Sequence, residues 1–315
     1  MNRAVFKMQT HININKICYF LISSIFLLLS ACDNSEPEKR EPVYHSQVKL
    51  DKPNYHFAIH PLHNPTKLAE AYQPLIDYLN THISAVHFEL ESSRDYQAFE
   101  EKFRKRKPEV ILPNPWQTLE AIKVGYRVIN MAGDPEDFKG IFIVRKDSGI
   151  TSPQDLIGKV VSYPSHTALA ACMMPQRYLH DNGIDVMKEI NNRYVGSQES
   201  SIMNALLGDS AAGATWPPPW RLFQRDRPED AAQLKVIWET PHLMNNSVMV
   251  RNDVDSQVAN LLTKLLTNLH ETKQGQEILK KMSTARFYPA ADNSYQPVQD
   301  FVNEFEKDVR PVEQK

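Results

Sequence analysis

The stretch Tyr55-His56-Phe57-Ala58-Ile59-His60-Pro61-Leu62-His63-Asn64-Pro65-Thr66 decides how the rest of the chain is read. A short apolar run, Tyr55–Ile59, has the length of a strand and breaks into a polar, proline-marked turn. Leu68, Leu75, Ile76 and Leu79 then recur at helical spacing over Thr66–Asn80, where Pro74 predicts a kink or a split. One strand, one loop and one helix make the unit from which α/β layers are built.

The same alternation continues outward. Strands are expected at Val86–Leu90, Val110–Leu112, Tyr126–Met131 and Gly140–Arg145, with helices over Asp95–Arg106 and Trp116–Lys123 between them. Tyr96, Phe99 and Phe103 give the first of these helices its apolar face. A second unit opens at Ser152-Pro153, a good helix start. Its strands are Lys159–Ser162, Glu189–Val195, Ala211–Thr215 and Leu234–Glu239, and its helices Thr167–His180 and Gln198–Leu207. Pro217-Pro218-Pro219 is expected to stop the strand before it and force a turn. A strand at Ser247–Arg251 and helices over Asp255–Leu269, Thr272–Lys281 and Tyr295–Val309 complete the chain. Periodicity leaves open whether these last elements return to the first unit; if they do, the chain crosses between units at Gly140–Val144 and near Asn246–Val250.

Composition narrows the function classes. The 315 residues carry a formal charge of -2 with 42% apolar and 23% charged residues, a soluble globular balance without the basic excess that collects phosphates on nucleic acid. The first residues read as an export signal: Arg3, Lys7 and Lys16, the apolar run Ile17–Leu29, then Leu29-Ser30-Ala31-Cys32. Met8 is a second possible start, since Lys16 and the apolar run still follow it. The run is short for a membrane span and leads at once into Asp33, Asn34, Ser35 and Glu36. A cysteine after Leu-Ser-Ala resembles the bacterial lipoprotein box, which implies acylation of Cys32 and anchoring of the mature chain to a bilayer. Asp33 in the next position resembles an inner-membrane retention signal. Loss of residues 1–31, which hold Arg3, Lys7 and Lys16 and no acidic residue, would bring the charge from -2 to -5. Cys172 would then be the one cysteine besides Cys32, so no internal disulfide is expected, and Cys172 lies in the apolar stretch Ala168–Met174 as a small core residue. Residues 33–53 read as a polar tether.

Chemistry-bearing motifs of enzymes are missing. No G-x-G-x-x-G, Walker loop, H-E-x-x-H or G-x-S-x-G elbow occurs, and no cofactor is expected. His60 and His63 could clasp a metal with a remote carboxylate, but their spacing is not that of a metal site, and none is assigned. What recurs instead is polar residues at turns that enter helices: His60 to Thr66, Pro113-Asn114-Pro115-Trp116, Pro164-Ser165-His166-Thr167 and Gly196-Ser197-Gln198-Glu199-Ser200. Helix starts present unpaired N–H groups that, with nearby hydroxyls, suit a small anion. The blander account is that Ser165, Thr167 and Ser197 are ordinary caps, that Trp116 covers the sheet, and that Trp216 and Trp220 pack on the proline run.

At these loops the chain resembles the periplasmic phosphate, phosphite and phosphonate-binding proteins of ABC importers. The likeness is carried by Phe57-Ala58-Ile59-His60-Pro61 with Asn64-Pro65-Thr66, by Gln73-Pro74-Leu75-Ile76-Asp77-Tyr78-Leu79, by Pro113-Asn114-Pro115, by Ile143 to Ile150, and by Gly196-Ser197-Gln198-Glu199. It implies a type II periplasmic binding protein with two α/β lobes, 54–140 plus 248–315 and 141–247, joined by two crossover strands. It further implies a ligand held by Ser165, His166 and Thr167, aromatics at Tyr96 and Trp116, and an acidic contact at Glu199. The full set expected to line the cleft is His60, His63, Tyr96, Asn114, Trp116, Ser165, His166, Thr167, Ser197, Gln198, Glu199 and Trp216. His166 within the hydroxyl turn, Ala168, Trp116 and Gln198 depart from the family pattern, which points to an altered ligand. The implied partners are a small anion, an inner-membrane permease with its ATPase, and the bilayer through Cys32; a monomer is expected. A competing role is a sensory or assembly lipoprotein acting on a membrane protein.

Overall fold

The computed structural model describes residues 52–313. The expected signal, Cys32 with its expected acylation and most of the expected tether therefore lie outside the described residues. No helix among the described residues is long and apolar enough to cross a membrane.

The chain builds two sheets of the same design. From the N-terminal side come β1 (Asn54–Ile59), α1 (Pro65–His82), β2 (His87–Glu91), α2 (Tyr96–Arg104), β3 (Val110–Leu112), α3 (Pro115–Lys123) and β4 (Tyr126–Ala132). The chain passes to the other sheet, which holds β5 (Ile141–Arg145), β6 (Val160–Tyr163), α4 (Met174–Asp181), β7 (Asn191–Tyr194), α5 (Gln198–Leu207), β8 (Ala212–Thr215), α6 (Pro217–Asp226), α7 (Pro228–Ala231) and β9 (Leu234–Glu239). It returns as β10 (Asn246–Arg251), α8 (Ser256–Asn268), α9 (Lys273–Lys281), β11 (Phe287–Pro289) and α10 (Gln296–Asp308).

Strand order is β11-β4-β10-β3-β1-β2 in the first sheet and β7-β6-β8-β5-β9 in the second. In each, one strand runs parallel to two neighbours, β1 between β2 and β3, β6 between β7 and β8. In each, an antiparallel strand delivered across the junction sits beside them: β10 against β3 and β4, β5 against β8 and β9. The carboxyl ends of β1, β3, β6 and β8 carry the loops beginning at His60, Pro113, Pro164 and Trp216, the edge where open α/β sheets receive ligands.

The passages between sheets differ from the expected crossover strands. Residues 141–145 belong wholly to the second sheet and 246–251 wholly to the first, and the chain crosses before each of them. The crossing segments are irregular but bonded to each other: Thr240 N donates to Gly140 O at 2.9 Å and Leu243 N to Phe138 O at 3.0 Å. Gly140 is needed there because a Cβ would lie 2.5 Å from Ala170 O.

Three local readings are corrected. Residues 65–82 form one unbroken helix with Pro74 inside it. The helix expected from Thr167 begins later, with a π-type turn at Leu169–Met173 before α4, so Ser165, His166 and Thr167 are not its first turn. Pro217-Pro218-Pro219 starts α6 instead of only ending β8, because the first turn of a helix needs no donor N–H from its residues. The short edge strand β11 has too few residues to leave a period and was not anticipated.

One apolar cluster fills the first half and takes in Trp216, Leu169 and Met173 from the second. Conversely, Tyr96 from α2 joins a cluster of the second half. Cys172 is buried within that cluster, as expected from its apolar setting, and desolvation pushes its thiol up to about 11.

Candidate functional site

Two polar networks link the facing loops. The first starts at α3, where Asn114 caps the helix: its Oδ1 accepts from Gln117 N at 3.0 Å, while Gln117 Oε1 accepts from Asn114 N at 3.1 Å. This reciprocal box aims both remaining amide groups away from the helix. Asn114 Nδ2 donates to Thr167 O at 3.1 Å across the cleft, and Gln117 Nε2 donates to Glu100 Oε1 at 3.0 Å. Thr167 Oγ1 donates to the same Glu100 oxygen at 2.7 Å. Ser165 Oγ lies 3.1 Å from Thr167 Oγ1 and accepts from Thr167 N at 3.3 Å. Ser165 and Thr167 therefore serve a tight turn and a carboxylate, and neither is a helix cap.

The second network runs from Thr215 through Gln198 to Tyr96. Thr215 Oγ1 donates to Gln198 Oε1 at 2.8 Å, and Gln198 Nε2 donates to Tyr96 Oη at 3.1 Å. Gln198 occupies the first turn of α5 because Ser197 caps that helix, accepting from Ser200 N at 3.1 Å. Ser197 thus spends its hydroxyl on the cap and does not face the network. His60 is buried against Tyr96 and Phe99, with ring centroids at 6.0 and 6.3 Å, and its Nδ1 lies 2.9 Å from Leu112 O. Desolvation, opposed by that backbone bond, lowers its pKa to about 4, so the imidazole is neutral at physiological pH.

The remaining expected residues divide. Trp116 and Trp216 are both buried in the shared apolar cluster, Trp216 against Phe138 at 5.5 Å. His63 and Trp216 border a cavity of about 20 Å³; another of about 10 Å³ lies between His63, Gln198 and Glu199. Each is of the order of a water site. Glu199 does not join the networks: it lies at the outer edge, 3.5 Å from Lys67 Nζ, with Asn64 Nδ2 at 3.4 Å. His166 also stands apart. Its ring packs edge-on against Tyr194 at 5.9 Å, and only its carbonyl is engaged, accepting from Arg310 Nη2 at 2.8 Å. The reason is the late helix start, which turns residue 166 toward the end of β7. Among the described residues, no group of three or more His, Cys, Asp or Glu side chains could hold a metal.

Sequence reasoning passed over Glu100, Gln117, Thr215 and Arg310. Glu100 left a signal, since it sits on the same stripe as Tyr96, Phe99 and Phe103 and is itself buried. Burial raises its carboxyl pKa, and the Thr167 and Gln117 hydrogen bonds oppose that rise. Arg310 follows α10 and crosses to the second half, where its guanidinium donates to Gln176 Oε1 at 2.8 Å besides His166 O.

Two sheets of matched topology, joined by paired crossing segments, with polar loops converging at their strand ends, define a type II two-lobed binding protein. A model of the family described as ABC transporter, phosphonate, periplasmic substrate-binding protein matches residues 57–295, and the chain belongs to that family. The binding-protein component of a phosphonate ABC transporter from Pseudomonas aeruginosa shares the fold with a TM-score of 0.76 at 17% identity, over 82% of this chain and 88% of that one. PhnD1 from Prochlorococcus marinus, solved in complex with methylphosphonate, gives 0.74 at 18% identity over 81% and 98%. XAC2383 from Xanthomonas citri, solved bound to ATP, gives 0.64 at 18% identity over 82% and 100%. The family is one of transport components located in the periplasm.

Proposed function

We propose that the cleft between the lobes captures a small oxyanion of the phosphonate class and passes it to a membrane permease with its ATPase. The observation that carries this reading is the meeting of the Thr167 hydroxyl from one lobe with the Gln117 amide from the other on a single carboxylate oxygen, Ser165 bonding to the Thr167 hydroxyl and Asn114 to the Thr167 carbonyl beside it. Neutral hydroxyl and amide donors converging on an anionic oxygen, without a fixed cation, make a seat from which an anion can also leave. Release matters to a carrier, because closure must be only modestly biased by the ligand. The complex of PhnD1 with methylphosphonate supports this ligand class for the shared fold.

The site so proposed comprises Ser165, Thr167, Asn114, Gln198, Tyr96, Trp116, Trp216, His60 and His63. Ser197, His166 and Glu199 lie around it. Anchoring through Cys32 would keep the carrier beside its permease. Isothermal titration of the full chain in detergent with methylphosphonate, phosphite and phosphate tests the reading. Saturable heat with at least one is expected; none with all three would remove the oxyanion class.

A further inference from the structure

The carboxylate in the proposed seat belongs to the protein itself. Glu100 reaches it from α2, four residues after Tyr96, and is only 6% exposed. Its Oε1 receives both the Thr167 hydroxyl at 2.7 Å and the Gln117 amide at 3.0 Å. Asn114 closes the circuit by donating to Thr167 O and fixing Gln117 through the capping box. Glu100, Thr167, Asn114 and Gln117 therefore form a ring of hydrogen bonds across the two lobes. No Lys, Arg or His forms an ion pair with Glu100 among the described residues; Lys102 pairs with Glu91, and Arg104, one turn along the same helix, pairs with Glu120 and Glu313. A carboxylate held only by neutral donors at facing loops has the environment of a captured anion, not of a salt bridge.

We infer that Glu100 is a specificity-determining residue of the cleft: its carboxylate takes the oxygen position that the Thr167 hydroxyl offers, and a free oxyanion has to displace it to bind. The inference rests on the cleft reading given above and adds what sets its affinity. A doubly charged oxyanion brought beside this carboxyl, whose charged form the Thr167 and Gln117 donors favour, meets like-charge repulsion in a site with little water. The side chain also fills space that the guest's oxygens need. Glu100 thus ranks guests by charge, holding fully ionised phosphate and phosphonate back relative to the same cleft without the carboxylate.

The test compares the full-length wild type with Glu100→Gln and Glu100→Ala by calorimetric titration of methylphosphonate and inorganic phosphate at neutral pH. Thermal melting of each variant verifies folding, and the isosteric Gln variant keeps the comparison alive if the Ala variant does not fold. Removal of the charge is expected to tighten the dissociation constant for both anions by about tenfold or more, with Ala at least as effective as Gln. Binding by the variants alone, with none by wild type, supports the inference equally. Folded variants that bind as weakly as the wild type, or more weakly, overturn it while the capture reading stands. No heat with any of the three proteins removes the capture reading, and this inference with it.

Discussion

The lobes meet at two seams that contrast in kind. Deep in the cleft, Glu100, Thr167, Gln117, Gln198, Thr215 and Arg310 are buried and each bonded to named partners across the lobes or along them. At the outer rim, Lys67 lies 3.5 Å from Glu199 and 3.3 Å from Asp226, with side chains 28%, 32% and 29% exposed. The inner seam uses mostly neutral donors around single charges, so losing one partner strands a group out of water. The rim uses full charges in contact with solvent, where attraction is screened and side-chain ordering offsets much of it. Specific closure should therefore reside in the inner seam, while the rim steers.

The largest break should come from Arg310. The residue is 7% exposed, and its guanidinium donates to Gln176 Oε1, His166 O and Pro311 O, tying the segment after α10 to the second lobe. Arg310→Ala leaves the buried Gln176 Oε1 unpaired and removes the partly buried bonds to the His166 and Pro311 carbonyls, and a loss of about 3 kcal/mol in urea unfolding is expected. Arg310→Lys should recover little, because one ammonium cannot span the acceptors that the planar fork reaches. A near-wild-type midpoint for Arg310→Ala would mean that the strap contributes nothing to holding the lobes.

A smaller effect should appear in the pH dependence of Glu100. Burial raises its pKa, so in the folded protein it binds a proton more tightly than in the unfolded chain. Its contribution to stability is then full in acid and declines as pH climbs from the ordinary carboxylate range through the raised value. Arg104 on its own helix opposes the shift, Glu313 of the C-terminal segment adds to it, and Thr167 and Gln117 face it as hydrogen-bond donors. Relative to Glu100→Gln, the wild type should lose stability as pH rises above the ordinary carboxylate range. Parallel melting curves for the two proteins across that rise would show that the carboxyl is not perturbed.

How much of this could be read before folding depends on the range of each interaction. The α/β alternation, the second-lobe start and the boundaries of Gln198–Leu207 are local, and the spacing of apolar residues reveals them. Asn114 with Gln117 at the third helical position is a local capping signature too. The Glu100–Thr167 bond joins residues 67 apart and depends on the chain crossing between lobes before they meet, which no window of sequence contains. The position of His166 is hidden from local sequence for a related reason. A hydroxyl-flanked residue ahead of an apolar run predicts a helix entrance, but the π-type turn at Leu169–Met173 postpones the helix and turns the imidazole to Tyr194. The proline run that opens α6 is ambiguous in sequence, since prolines fit a first turn as well as a strand end.

The rim supplies the smallest prediction and the sharpest contrast. Lys67 is shared between Glu199 and Asp226, so Lys67→Ala removes both pairs at once, yet all three side chains keep contact with water. The expected stability change is below about 0.5 kcal/mol, and it should shrink further when salt rises from about 0.05 M to about 0.5 M. Removing the ammonium also leaves two carboxylates at the mouth of the cleft, so association of methylphosphonate should slow at low salt and recover in high salt. A salt-independent loss as large as that of Arg310→Ala would place Lys67 with the buried seam and dissolve the distinction between a screened edge and a desolvated interior.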